Sequence, residues 1–355
     1  MTTTPKNMPY VRLGNSGLKV SRIILGTMSY GDPKWQEWLL PEEEAITHIK
    51  AAYDAGIQTF DTANAYSSGD TEIILGNAIK KLKLPRDEIV VMTKLFHAVS
   101  KDHTLIVPKQ LRYDEEGYVN QHGLSRKHIF DSVKLSLERL QLDYIDVLQC
   151  HRFDYHTPIA ETMQALHDVV KAGYVRYIGM SSCWAYQFHA MQNYAIANKL
   201  TPFISMQNHH NLVYREEERE MFPTLKLSGV GAIPWSPLAR GLLTRPLSDQ
   251  STKRGSTDFF EVVDAFSAIN AYNKGPGTAE IIKRVEEIAN KKGVKMAQIA
   301  LAWSLAKDGI TAPVVGTTSL ENLKDLIAAV YIRLTDEEVK YLEEPYKAMD
   351  IIGHI

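Results

Sequence analysis

A (β/α)8 barrel is the fold class that this sequence predicts, and three observations predict it. Short, almost continuously apolar runs alternate with amphipathic stretches of helical period, the pattern of parallel strands covered by helices. Eight such pairs succeed one another, the number that closes into a barrel. The competing open, doubly wound sheet normally carries a G-x-G-x-x-G turn after its first strand, and that pattern occurs nowhere in the chain.

Taken in order, residues 10 to 21 alternate apolar and polar around Asn15-Ser16-Gly17, a turn-forming cluster, and predict a β-hairpin ahead of the main fold. Strands are expected near 22–26, 57–60, 88–93, 144–149, 174–179, 203–207, 230–234 and 312–315. Apolar periodicity places helices over 41–55, 70–82, 125–140, 158–171, 185–198, 215–227, 278–292 with 296–306, and 320–330. Pro41-Glu42-Glu43-Glu44 shows why a helix starts there: proline suits the first turn, and carboxylates suit the positive end of the helix dipole. Two long polar connections, His97 to Gln121 and Arg245 to Gly277, break the rhythm. Both follow strands, so in a barrel they lie on the catalytic rim as lids or binding loops.

The chain of 355 residues, 45% apolar and 23% charged with a formal net charge of −2, reads as one barrel domain over 1–355. That balance exerts no strong pull toward nucleic acid or an anionic membrane. Cys150 and Cys183 have neither the number nor the spacing of a disulfide framework or a zinc site, which fits reduced thiols in a cytoplasmic protein. The N-terminus is polar, and no later run approaches the length needed to span a bilayer.

Chemistry gathers where strands stop. The run ending in Phe60 delivers Asp61 and, five residues later, Tyr66; the strand ending at Thr93 delivers Lys94; the strand ending at Gln149-Cys150 delivers His151. Each of these alone is more often a packing residue or half of a solvated salt bridge. Their order and spacing make the set informative.

With these residues in place, the sequence resembles the aldo-keto reductases nearly end to end. The likeness runs through Leu13-Gly14-Asn15-Ser16-Gly17-Leu18-Lys19-Val20-Ser21, Leu25-Gly26-Thr27-Met28, Phe60-Asp61-Thr62-Ala63-Asn64-Ala65-Tyr66, Thr93-Lys94, Gln149-Cys150-His151, Pro234-Trp235-Ser236-Pro237-Leu238 and Val315-Gly316-Thr317-Thr318-Ser319. The resemblance puts Asp61, Tyr66, Lys94 and His151 at the positions of the family's catalytic tetrad, and implies NADP(H)-dependent exchange between carbonyl and alcohol small-molecule substrates. It also implies that the hairpin caps the barrel floor.

Carbonyl reduction needs a proton donor at the oxygen as hydride arrives at the carbon. Tyr66 is expected to give that proton, Lys94 to favour its phenolate, Asp61 to hold Lys94, and His151 to orient the carbonyl. By the same resemblance Gly26, Thr27, Met28, Asp61, Ser181, Ser182, Gln207 and Trp235 surround the nicotinamide, with Ser181 and Gln207 bonding its carboxamide and Trp235 stacking on its ring. Ser182 stands where many relatives carry Asn. Ser236, Leu238, Gly241, Leu242 and Arg245 resemble the pyrophosphate clasp, while Gly316, Thr318 and Asn322 match positions near the adenosine, with the helix after Ser319 pointing toward the 2′-phosphate.

No metal is needed: His209-His210 and the His151…His156 pair lack HExxH spacing and a carboxylate set, and G-x-S-x-G, the mark of a serine hydrolase, is absent. The alternative from another class is a regulatory barrel that holds a nucleotide with little turnover, because a barrel does not by itself dictate function.

Overall fold

The hairpin forms as the alternation implies. In a computed structural model, which describes residues 8–102, 113–249 and 275–354, strands β1 (Tyr10–Arg12) and β2 (Lys19–Ser21) pair antiparallel with Val11 opposite Val20. Leu13 and Val20 from this hairpin pack with Ile24, Val90, Met92, Val147, Ile233, Ala312 and Val314. Those side chains come from several barrel strands, so the hairpin plugs the floor.

Eight parallel strands follow: β3 (Ile24–Gly26), β4 (Thr59–Asp61), β5 (Val90–Leu95), β6 (Ile145–Cys150), β7 (Val175–Ser181), β8 (Phe203–Gln207), β9 (Gly231–Ala232) and β10 (Val314–Val315). They run in the order β10-β3-β4-β5-β6-β7-β8-β9. The last gap is bridged where Thr311 N donates to Ala232 O at 2.8 Å and Val314 N to Pro234 O at 2.8 Å, so the sheet closes. Every residue of β5 and β6 is buried, as strands covered on both faces require.

The helices are α1 (Glu42–Asp54), α2 (Asp70–Leu82), α3 (Arg126–Leu140), α4 (Ile159–Lys171), α5 (Ala185–Ala197), α6 (Met221–Ser228), α7 (Thr278–Lys292), α8 (Met296–Ala306), α9 (Leu320–Ala328) and α10 (Asp336–Glu343). Their apolar faces form the main core against the outside of the sheet, with Ile49, Leu75, Ile129, Leu166, Phe188 and Leu326 among its members. A second core joins α7, α8 and the C-terminal segment around Trp303.

Two departures have physical causes. The helix expected over 215–227 breaks into a 3₁₀ turn at Glu216–Glu218 and a shorter α6. Each glutamate is held by a different partner outside the turn: Tyr346 Oη donates to Glu216 at 2.6 Å, Asn208 Nδ2 to Glu217 at 3.0 Å, and Lys307 Nζ lies 3.2 Å from Glu218. Pro223, which has no amide proton, then sits in the first turn of α6, where none is needed. Helix α10 is the second departure, unassigned by the sequence reading although Thr335 and Glu338 form a capping box at its start. The lid expected over Arg245 to Gly277 lies largely outside the described residues, as do residues 103–112 of the other long connection.

Candidate active site

All four strand-end residues reach the same rim of the barrel. Asp61 closes β4, Lys94 stands one residue before the end of β5, and His151 directly follows β6. Strand alternation settles which way Lys94 points, because its neighbour Thr93 faces outward and donates its hydroxyl to Glu72 at 2.6 Å. Glu72 is itself buried and held by Arg139 at 2.7 Å. Lys94 is thereby committed to the interior.

There Lys94 Nζ lies 2.5 Å from Asp61 Oδ2, with the side chains 0% and 2% exposed. It also donates to Thr62 O at 2.9 Å and meets the Tyr66 hydroxyl at 3.2 Å. Burial by itself lowers the Lys94 pKa, but the charges and hydrogen bonds of Asp61 and Tyr66 outweigh it, and the net displacement is upward. Lys94 stays a cation. Its partner's second oxygen, Asp61 Oδ1, accepts from Gln149 Nε2 at 2.8 Å and from Gln207 Nε2 at 2.9 Å, so both carboxylate oxygens are occupied. Gln207 also donates to Gln149 Oε1 at 3.0 Å.

Gln149 was quoted in a motif but given no role by the sequence reading. The signal was there: Gln149 lies two residues before His151 and pairs in register with Lys94, which puts it on the inward face. Opposite it stands Gly179, where a Cβ would meet Ser205 Oγ at 2.3 Å and Gln149 Cγ at 3.3 Å. No side chain fits there beside the glutamine.

Tyr66 is carried by a constrained turn. Ser67 and Ser68 have φ of 46° and 47°, and Gly69 follows at 98°. Left-handed backbone at two successive non-glycine residues is costly and persists only where the surroundings enforce it. Ser67 Oγ accepts from Asp32 N at 3.0 Å, Thr71 donates to Tyr30 O at 2.7 Å, and a Cβ at Gly31 would lie 2.4 Å from that of Ser67. The phenol ring, half-buried, meets His151 edge-on with centroids 5.8 Å apart. His97, from the start of the first long connection, packs against His151 at 4.9 Å and pairs through Nδ1 with Tyr113 Oη at 3.2 Å. Burial first, then His97, Arg152 and Lys94, push the His151 pKa well below its ordinary value. Burial and Arg152 take His97 down to about 3. Both rings are neutral at physiological pH.

Several of the residues expected around a nicotinamide sit on the same rim and hydrogen-bond to one another and to Asp61. Thr27 donates to Asp61 O at 3.1 Å through its hydroxyl, and Ser181 Oγ donates to Gln207 O at 2.9 Å. The Gln207 amide is spent on Asp61 and Gln149, which leaves its Oε1 to accept from a ligand. Trp235 Nε1 donates to Ser182 Oγ at 3.0 Å, and one indole face is covered by His209, stacked at 4.1 Å and 8°, which in turn lies on Tyr214. His209 and the C-terminal Gly353, whose Cβ would come within 3.4 Å of Trp235, were not foreseen.

The segment after β9 has left-handed backbone at Ser236, Ala239, Arg240 and Gly241, with φ of 55°, 48°, 57° and 101°. Such conformations turn successive amides to one side and suit an anion. Leu242 is in core contact with residues such as Leu212 and Ile282, so only its backbone is free to meet a ligand. Gly316 follows β10 directly, Thr318 and Asn322 are exposed at the start of α9, and Ser319 Oγ caps that helix by accepting from Asn322 N. Lys295, distant in sequence, pairs with Glu321 at 2.9 Å and Asp325 at 2.7 Å and offsets the acidity of that helix start.

With the geometry in place, comparison with known proteins is direct. The profile described as Aldo/keto reductase family matches residues 22–347. The chain belongs to the aldo/keto reductase family. It is 49% identical to the versiconal hemiacetal acetate reductase of Aspergillus parasiticus over 96% of this chain and 97% of that one. It is 51% identical, over 98% of both chains, to a Schizosaccharomyces pombe protein that bears the provisional name aryl-alcohol dehydrogenase. An aldo-keto reductase of Alternaria alternata is 47% identical over 97% of this chain and 93% of its own length. This aldo/keto reductase is accordingly an oxidoreductase of the NAD(P)H-dependent, carbonyl-reducing type. Among its described residues no helix is long and apolar enough to cross a membrane, and no group of three or more His, Cys, Asp or Glu side chains is placed to hold a metal ion.

Proposed function

We propose that this chain is an NADP(H)-dependent reductase of aldehydes or ketones in which Tyr66 is the general acid. The observation that carries the reading is the buried Lys94–Asp61 pair set directly against the hydroxyl of a half-exposed tyrosine. When bound, the reduced nicotinamide supplies hydride to the carbonyl carbon. Tyr66 gives its hydroxyl proton to the oxygen, and Lys94, 3.2 Å away, stabilises the negative charge left on the phenol oxygen. Asp61 keeps Lys94 in place, while Gln149 and Gln207 hold Asp61. Neutral His151 can donate to the carbonyl oxygen without competing as an acid.

The residues present fit the cofactor. Gln207 Oε1 is available to the carboxamide, the left-handed turn from Ser236 to Gly241 suits a pyrophosphate, and the amides opening α9 favour a 2′-phosphate. Gly26, Met28, Leu238, Arg245, Gly316, Thr318 and Asn322 complete the proposed binding surface. The chain works as one domain in the cytoplasm on this reading. A nucleotide-holding regulatory barrel is less well supported, because such a protein has no need of a complete acid–cation–carboxylate set.

Purified protein is mixed with NADPH and a panel of carbonyl compounds while nicotinamide absorbance is followed. Aryl aldehydes and hemiacetal esters head the panel, since two relatives are named for such chemistry. Turnover is expected. Tight NADPH binding with no turnover across the panel would leave the regulatory reading standing.

A further inference from the structure

Arg152 is a buried charge on this rim that the mechanism does not use. It directly follows His151, is 5% exposed, and spends one nitrogen, Nη1, on the carbonyl of His151 at 2.6 Å. Its Nε is buried without a hydrogen-bond partner. A guanidinium has five donors and a strong need for an opposing carboxylate when it leaves water, yet none of the described residues pairs with it. Asp154, two residues on, is already taken: Oδ2 accepts from Leu124 N and Thr157 Oγ1, each at 2.7 Å, and Oδ1 from His156 N at 2.8 Å.

The charge balance around it is plain. Lys94 is neutralised by Asp61, and His97 and His151 are held in their uncharged forms. Arg152 acts on both of those imidazoles, and Tyr66 and Cys183 in turn favour its charged form, so the guanidinium is electrostatically coupled to the reacting end of the site. Burial brings its pKa down to about 10, which still leaves it charged at physiological pH. Arg152 is therefore a positive charge next to His151 in sequence that none of the described carboxylates neutralises.

We propose that Arg152 is a substrate-recognition residue that binds a carboxylate carried by the carbonyl substrate, so that oxo-acids and carboxyaryl aldehydes are preferred over their uncharged counterparts. The inference rests on the carbonyl-reductase reading. Nε stays buried, but Nη2 is unspent. Together with the second proton of Nη1 it can grip a carboxylate through two parallel bonds, which fixes the carbonyl's direction as well as its affinity. The Nη1 bond to the His151 carbonyl keeps the fork in place.

The test compares 4-carboxybenzaldehyde with 4-nitrobenzaldehyde, of similar size and without the charge, in the parent enzyme, Arg152→Met and Arg152→Lys. For Arg152→Met, kcat/KM for the carboxylate substrate is expected to fall about 10- to 100-fold further than kcat/KM for the nitro substrate, the extra loss lying mostly in KM. Arg152→Lys, which keeps the charge and loses the fork, should recover part of that loss. NADPH affinity, followed by quenching of tryptophan fluorescence, reports whether each variant is folded. An equal fall for both substrates, or a parent enzyme with no preference for the carboxylate, overturns the assignment. Should Arg152→Met fail to fold, the parent preference and its partial loss in Arg152→Lys still decide. If neither aldehyde is turned over by the parent, the failure belongs to the reductase reading instead.

Discussion

Asp61 Oδ2 lies 2.5 Å from Lys94 Nζ where neither side chain meets solvent. Removing one partner of such a pair strands the other charge, at a cost of about 3–5 kcal/mol. Lys94→Met is therefore expected to lower both stability and turnover, whereas Tyr66→Phe should lower turnover by about 10²-fold or more with cofactor affinity nearly unchanged. Thermal melts beside steady-state kinetics separate the two effects. Near-parental activity in Tyr66→Phe would mean that the acid is another group.

Gln149 touches only Asp61 and Gln207 among the polar groups near the reacting end. Replacing it with leucine leaves Asp61 Oδ1 with Gln207 alone, and the Lys94 ammonium less tightly positioned. The expected result is a drop of about 10-fold in kcat with KM little changed, since a loss confined to the transition state moves kcat and kcat/KM together. A change confined to KM would contradict this.

Gly31 tests the turn that carries Tyr66. A methyl group there would fall 2.4 Å from Ser67 Cβ, and φ of 155° is rare for alanine. Gly31→Ala should shift the turn and cost about 10²-fold in kcat, the usual consequence of displacing a reacting group by an ångström or so. Circular dichroism should show the barrel intact. Unaltered kinetics would show that the turn does not depend on this packing.

Acid should unfold this protein partly through His128. Burial, aided by His122 and Lys127, takes this imidazole to about 4, and its Nε2 has no partner. Because the folded value lies below the ordinary one of about 6.5, the unfolded chain binds the proton first. Stability is full above that ordinary value and is lost as pH falls from about 6.5 to about 4, by about 2 kcal/mol at pH about 5 from this residue alone. His128→Gln should flatten that part of the profile in urea titrations. An unchanged slope would assign the acid sensitivity to other groups.

NADPH should bind more tightly than NADH, with a modest margin. Thr318 offers a hydroxyl where a lysine or arginine would offer charge, so the preference falls to the amides opening α9, where a helix dipole contributes about 0.3–1 kcal/mol toward an anion. Glu321, the acid nearest that site in sequence, is paired with Lys295. Dissociation constants for the two cofactors at one low salt concentration decide the point, and Thr318→Lys should widen the gap. Equal affinities would remove the NADPH assignment.

Much of this was legible in the one-dimensional pattern. Short, almost continuously apolar runs placed eight strands and period-3.6 spacing most helices, and strand ends marked Asp61, Tyr66, Lys94 and His151, because parallel strands in a barrel deliver their C-terminal residues to one face. The bonds from Gln149 and Gln207 to Asp61, and the places of His97, His209 and Arg152, were not legible. Each depends on which groups converge from strands far apart in sequence: the Gln207 amide turns to Asp61, 146 positions away, and no local pattern carries that contact. The break at Glu216–Glu218 has the same origin, since the three consecutive glutamates there answer to partners outside the turn, Tyr346, Asn208 and Lys307. Local propensity and burial periodicity determined the barrel and its rim; hydrogen bonding in the closed interior, where a polar group left without a partner is costly, decided how the rim is wired.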